Sequence, residues 1–149
     1  MIALQRIMKF VRLPIREKHL MVEAFVLLLH YSFLIHVMPF RWWETRIGRK
    51  MQPLQQKQLT FEQKRKIGRI RLTVFRANMV LLEGAKCFAI SLTLKKMLQK
   101  RKIASTLFLG VRKNEPEKLL AHAWLTCGDI TIYGGREAAF QYRELVAFT

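Results

Sequence analysis

The chain is short of acid. Only 10 Asp and Glu stand against 27 Lys and Arg in 149 residues, a formal net charge of +17 with histidine neutral. That imbalance points to one of three anionic partners: nucleic acid, an anionic membrane surface, or an acidic protein or peptide. Composition alone does not choose among them. Cysteine is equally scarce, with 2 in the chain, which excludes a disulfide framework and a Cys-rich zinc site. No internal repeat or low-complexity tract is present. Apolar residues are not scarce: they make up 51% of the chain, with 10 Phe and 3 Trp. That content excludes a disordered basic tail, which lacks large apolar side chains. A chain of this length is one domain's worth and buries roughly 70% of its unfolded surface, so it needs no covalent staples.

Residues 20–40 read LMVEAFVLLLHYSFLIHVMPF, about the roughly 20 residues that a membrane span requires. On a helix, Arg12, Arg16, His19, Glu23 and His30 fall on one narrow stripe, because their spacings of 4, 3, 4 and 7 follow the helical period. A charged Glu near a bilayer centre is costly, so a buried or interfacial helix fits this segment better than a lipid-facing span. The apolar run starts late and no small-x-small cleavage site follows, so a secretory signal is not expected. Residues 41–59 are basic and Gln-rich with Pro53 in their midst, and read as a connector. Thr60 then stands as N-cap with Gln63 three residues on, a capping-box spacing that predicts a helix to about residue 82. The run Lys64-Arg65-Lys66, Arg69, Arg71, Arg76 reads as a solvated helix face, and no nucleic-acid motif accompanies it.

A second helix is predicted over residues 86–100. Cys87, Ile90, Ser91, Leu94, Met97 and Leu98 form one face, and Thr93, Lys95, Lys96, Gln99 and Lys100 the other. From there the period becomes strand-like. Strands are predicted over 103–111, 119–127 and 130–133, with Gly128-Asp129 as a tight hairpin turn and a last strand over 145–148.

Cys87 sits in the first turn of its helix, where unpaired backbone N–H groups and the positive end of the dipole stabilise a thiolate and a developing oxyanion. On the strand, Leu120, His122, Trp124 and Thr126 share one face. If that face packs on the start of the cysteine helix, the imidazole reaches the sulfur as general base and then general acid, the requirement for acyl transfer. Against this stands the plain reading of Cys87 as a small core hydrophobe and His122 as a structural residue. Cys127 reads as an inert strand residue, and a Cys87–Cys127 disulfide is not expected in a reducing compartment.

The segment from Lys86 to Gly135 resembles the lasso peptide biosynthesis B protein in its stand-alone leader-peptidase form, within the transglutaminase-like cysteine protease superfamily. The residues carrying the resemblance are Cys87 opening an amphipathic helix, Leu109-Gly110-Val111, Ala121-His122-Ala123-Trp124, Gly134-Gly135 and the closing LVAFT. The N-terminal stretches LPIREKHLMVEAFVLLL and MPFRWWETRIG also fit. The resemblance implies an α+β fold: N-terminal helices, then a transglutaminase/papain-like core with the Cys-bearing helix packed on an antiparallel sheet. It divides the chain into a helical region and connector, residues 1–59, and a peptidase core, residues 60–149. It implies a cysteine endopeptidase that removes the leader of a ribosomally made lasso precursor, with Cys87 as nucleophile and His122 as base.

Many relatives carry Asp about a dozen residues past the histidine, where this chain reads Ile132-Tyr133-Gly134-Gly135. Asp129, on the hairpin turn, is the candidate carboxylate, either orienting the imidazole or serving only the turn. Relatives often carry Pro-Trp before the cysteine, where this chain has Leu82-Glu83. Trp124 either shields the pair from water or is a core aromatic. The partners implied are the precursor leader, a small leader-binding (RiPP recognition element) protein and the macrolactam cyclase, with no cofactor and no metal. The expected location is the cytoplasm, with contact at the inner face of the membrane. A basic membrane-associated or nucleic-acid-binding protein without catalysis is the alternative.

Overall fold

The computed structural model describes residues 13–42, 44–48, 50, 58–81, 86–114, 118–135 and 138–149. Three long helices come first: α1 (Ile15–Val37), α2 (Phe61–Asn78) and α3 (Cys87–Lys100). Two single 3-10 turns, Phe40–Trp42 and Glu44–Arg46, follow α1. The strands are β1 (Thr106–Asn114), β2 (Lys118–Cys127), β3 (Ile130–Tyr133) and β4 (Arg143–Phe148), with the one-turn α4 (Ala138–Gln141) before β4. They form an antiparallel sheet in the order β3-β2-β1-β4. The α+β architecture is the one expected.

Helix α2 begins as its sequence predicts. The Thr60 hydroxyl accepts from the Gln63 backbone N–H at 3.3 Å, and the Gln63 side-chain carbonyl accepts from the Thr60 backbone N–H at 3.0 Å. The helix stops at Asn78, short of the expected residue 82. Residues 82–85, including the Leu82-Glu83 departure, lie outside the described residues, as do Arg12 and residues 51–57 of the connector.

Helix α3 has the expected limits, but its burial is two-sided. The sheet lies on one side and α1 and α2 on the other, so Thr93 and Lys95 are buried along with Ile90, Leu94 and Met97. The helix ends in a Schellman motif. Lys102, at φ 57°, donates its N–H to Gln99 O, and Ile103 donates to Leu98 O, both at 3.0 Å. Ile103 is therefore committed to the helix end. This is why β1 starts at Thr106 and not at residue 103 as predicted.

Strand alternation sorts the sheet into two faces. Leu107, Leu125, Cys127, Ile132 and Phe148 join the core with α3, whereas Phe108, Trp124 and Ala147 form a separate cluster on the other face with Tyr142. The row bearing His122 and Trp124 does not pack on the cysteine helix. Instead Ala123, Leu125 and Cys127 do so, because that row is apolar throughout and matches the apolar side of α3.

Helix α1 buries Ala24 and Leu28 against this core. From the predicted polar stripe, the Glu23 carboxylate reaches Arg101 at 2.7 Å and Lys100 at 3.0 Å. Burial alone would raise the Glu23 carboxyl pKa, but hydrogen bonds and charge from Arg101 and Lys100 outweigh burial and hold it below the usual range. Glu17 pairs with Arg69 of α2. The opposite side of α1 leaves Ile15, Val22, Val26, Leu29, Phe33 and Val37 exposed. By length and composition this 23-residue helix, whose most apolar 18-residue stretch has mean hydropathy 1.9, could cross a membrane. Its ion pairs and Leu28 instead tie one side of it to protein.

The Lys95 ammonium is buried and donates to Ser105 O at 2.9 Å. Burial pulls its pKa down to about 8, partly offset by the neighbouring Cys127. The folded state thus sheds this proton before the unfolded chain does, so stability rises with pH above 8. Above about 9 the opposite shift of Cys127, described below, works against that rise. In denaturant titrations, stability is expected to climb between pH 8 and 9, and Lys95→Met to flatten the climb. Thr60→Ala is expected to cost about 1 kcal/mol of unfolding free energy in the same assay.

Candidate active site

Cys87 is the first residue of α3, and the N-cap Lys86 supplies no side-chain hydrogen bond there. The thiol is free and half-buried. Beside it lies Tyr133, the last residue of β3, whose ring packs 5.8 Å from that of Phe75. Burial, and secondarily the negative charge of a Cys87 thiolate, push the Tyr133 hydroxyl above its ordinary range. The phenol therefore stays protonated and remains a hydrogen-bond donor.

His122 lies on β2 opposite Gly110 of β1. Its Nε2 is 3.0 Å from the carbonyl oxygen of Gly134. Its ring is 5.0 Å from Tyr142 and 6.5 Å from Trp124, and Trp124 stacks on Phe108 at 5.3 Å with the planes 6° apart. The Arg112 guanidinium sits 5.2 Å over the Tyr142 ring, extending the row. Two glycines make room for Trp124. A Cβ on Gly110 would come within 2.8 Å of the indole, and one on Gly134 within 2.3 Å of Trp124 Cβ. Trp124 is thus both a core aromatic of the outer cluster and a wall beside the imidazole.

Cys87 packs with the core on one face of the sheet and His122 lies with the aromatic cluster on the other, and each has a neighbour at the end of β3. Tyr133 neighbours the cysteine, and the next residue, Gly134, binds the histidine. No hydrogen bond joins Cys87 to His122 among the described residues. Catalytic hydrogen bonds commonly tighten only once substrate is bound.

Asp129 lies at the exposed tip of the β2–β3 turn. The strand from His122 to Cys127 separates it from the imidazole by five residues, about 17 Å of extended chain. No hydrogen bond joins the two among the described residues, so the structure does not bring Asp129 to the site as an orienting group. Sequence reasoning missed the Gly134 carbonyl, Tyr133 and Tyr142. A backbone acceptor leaves no side-chain signature, and the one available signal was the Gly134-Gly135 pair ending β3.

Cys127 is fully buried against α3. Burial pushes its thiol up to about 12, although the Lys95 charge works the other way. No three His, Cys, Asp or Glu side chains cluster as a metal site among the described residues. A cavity of about 240 Å³ between α1 and α3, lined by Tyr31, Arg46 and Lys96 among others, contains neither Cys87 nor His122. Iodoacetamide is expected to modify Cys87 and spare Cys127 in the native protein, and to modify both in denaturant, as read by intact-mass and peptide mass spectrometry.

No curated protein and no solved structure gives a match to the chain. The family profile described as Transglutaminase-like superfamily does match, over residues 27–147. That span runs from the middle of α1 to the end of β4 and includes Cys87 and His122. With most of its length inside that match, the chain belongs to the transglutaminase-like superfamily.

Proposed function

We propose that the protein is a cysteine endopeptidase that removes the leader peptide from a ribosomally made lasso precursor. The observation that carries this reading is the presence, within a transglutaminase-like domain, of Cys87 at the first turn of α3 beside Tyr133 and of His122 on β2 bound to Gly134, the residue after Tyr133. The resemblance in AHAW and in the cysteine helix supplies the substrate class.

In this mechanism His122 takes the proton from the Cys87 thiol, and the thiolate attacks the scissile carbonyl carbon. Backbone N–H groups in the first turn of α3 stabilise the oxyanion. The C–N bond breaks as the imidazolium gives its proton to the departing amine, leaving a thioester on Cys87. Water, deprotonated by His122, attacks the thioester, and the thiol leaves with that proton. An amine in place of water would make the same site a transglutaminase.

The partners in this reading are the precursor leader, a small leader-binding protein and the macrolactam cyclase that receives the product. The net charge of +17 favours encounter with acidic partners. The exposed apolar side of α1, beside that charge, supports contact with the inner face of the membrane from the cytoplasm.

With the cognate precursor and leader-binding protein present, Cys87→Ala and His122→Ala are each expected to lower cleavage at least about a thousandfold, followed by mass spectrometry of the released leader. Undiminished cleavage by Cys87→Ala would overturn the assignment. A neighbouring short precursor gene and an asparagine-synthetase-like cyclase gene would identify the substrate to use.

A further inference from the structure

We propose that the main-chain carbonyl of Gly134 is the third member of this site, orienting His122 where a side-chain carboxylate would otherwise do so. The inference rests on the Cys87–His122 reading above and adds to it the tautomer of the base and the group that sets that tautomer.

A carbonyl oxygen only accepts hydrogen bonds. The 3.0 Å contact therefore requires that His122 Nε2 carry the proton and donate it to Gly134 O. In the neutral imidazole the lone pair is then on Nδ1, and Nδ1 is the atom that receives the cysteine proton. The ring is flanked by Tyr142, with centroids 5.0 Å apart, and by Trp124 at 6.5 Å. Among the described residues Tyr142 packs against the ring with Arg112 beyond it, and Glu144 shares the cross-sheet register of His122 on β4; no hydrogen bond joins that carboxylate to the imidazole.

The backbone around the carbonyl is shaped for this contact. β3 ends at Tyr133, and Gly134 and Gly135 follow at φ 93° and 82°, values that side-chain-bearing L residues rarely adopt. The first of these glycines also cannot take a Cβ, because Trp124 Cβ already occupies that space. The chain thus leaves the ladder at the point where the next carbonyl meets the imidazole. Asp129, on the β2–β3 turn, is at the far end of the hairpin. A carbonyl dipole favours the imidazolium as a carboxylate does, but more weakly and without net charge. Gly134 O is a positioning group in this scheme, since it acts on the cysteine only through His122.

The test is the tautomer itself. In protein carrying 15N-labelled histidine, long-range 15N–1H correlation spectra at pH 8 are expected to show His122 protonated on Nε2. Replacing Gly135 by its α-hydroxy acid (Gly135→glycolic acid, by nonsense suppression) turns the Gly134 amide carbonyl into an ester, a weaker acceptor, and alters no side chain. That variant is expected to lose the tautomer preference. Its neutral-pH rate of Cys87 alkylation by iodoacetamide is expected to fall about three- to tenfold, the scale of one hydrogen bond. Asp129→Asn is expected to leave tautomer and rate as in the wild type.

A wild-type proton on Nδ1 overturns the proposal, and that spectrum decides the matter even if the ester variant does not fold. An ester variant with unaltered tautomer and rate overturns it too, as does loss of both in Asp129→Asn. A His122→Ala variant alkylated as fast as the wild type, with the wild-type tautomer still on Nε2, would instead overturn the Cys–His reading beneath it.

Discussion

The fold depends on burying one helix from both sides. Nine of the 14 residues of α3 are buried, among them Ser91, Thr93 and Lys95, so the helix cannot be a one-sided cover on a sheet. The sheet presents Ala123, Leu125 and Cys127 to it, and α1 and α2 close the other side. The polar groups this traps need partners. Lys95 finds Ser105 O, while the Ser91 and Thr93 hydroxyls find none among the described residues. Desolvation without a partner costs about 1–3 kcal/mol per group, so apolar packing on both sides must more than offset it. Once α3 is held in this way, the position of its first residue is settled as well. Cys87 is then fixed relative to the end of β3.

The two halves of the site are built by different means. Cys87 is placed by helix packing on the inner face, beside the protonated phenol of Tyr133. His122 is placed on the outer face by a row of flat rings, Tyr142, His122, Trp124 and Phe108. Stacked rings lock the plane of an imidazole more effectively than aliphatic neighbours, because tilting one ring forces its neighbours apart. The edge at the end of β3 is where the two faces communicate. Gly134 belongs to both, through its peptide link to Tyr133 and through its hydrogen bond to His122.

What could be read ahead of the structure was local. The Thr60–Gln63 capping box, the limits of the cysteine helix, the Gly128-Asp129 turn and β3 each depend on a few neighbouring residues, and each is where the pattern puts it. Cys87 and His122 stood out because thiol and imidazole have a distinct chemistry. What could not be read was relational. Both rows of β2 contain apolar side chains, so alternation alone did not reveal whether Leu120 and Trp124 or Ala123 and Leu125 would meet the helix. The start of β1 moved because Ile103 closes α3, a non-glycine Schellman ending at Lys102. Asp129 is a carboxylate near in sequence, whereas the partner that His122 has is a main-chain oxygen, which every residue type provides and no composition displays.

The scarcity of acid has a further side. Glu17, Glu23, Glu44 and Glu62 each hold a basic side chain within the fold. Those carboxylates are engaged internally and offer little to neutralise the rest of the surface. Next to that surplus of cation runs the uncovered ridge of α1 from Ile15 to Val37. Taken at the scale of the whole molecule, the protein is a cationic amphiphile. Such a surface is complementary, as a surfactant's is, to a boundary at which negative charge and an oily phase coincide.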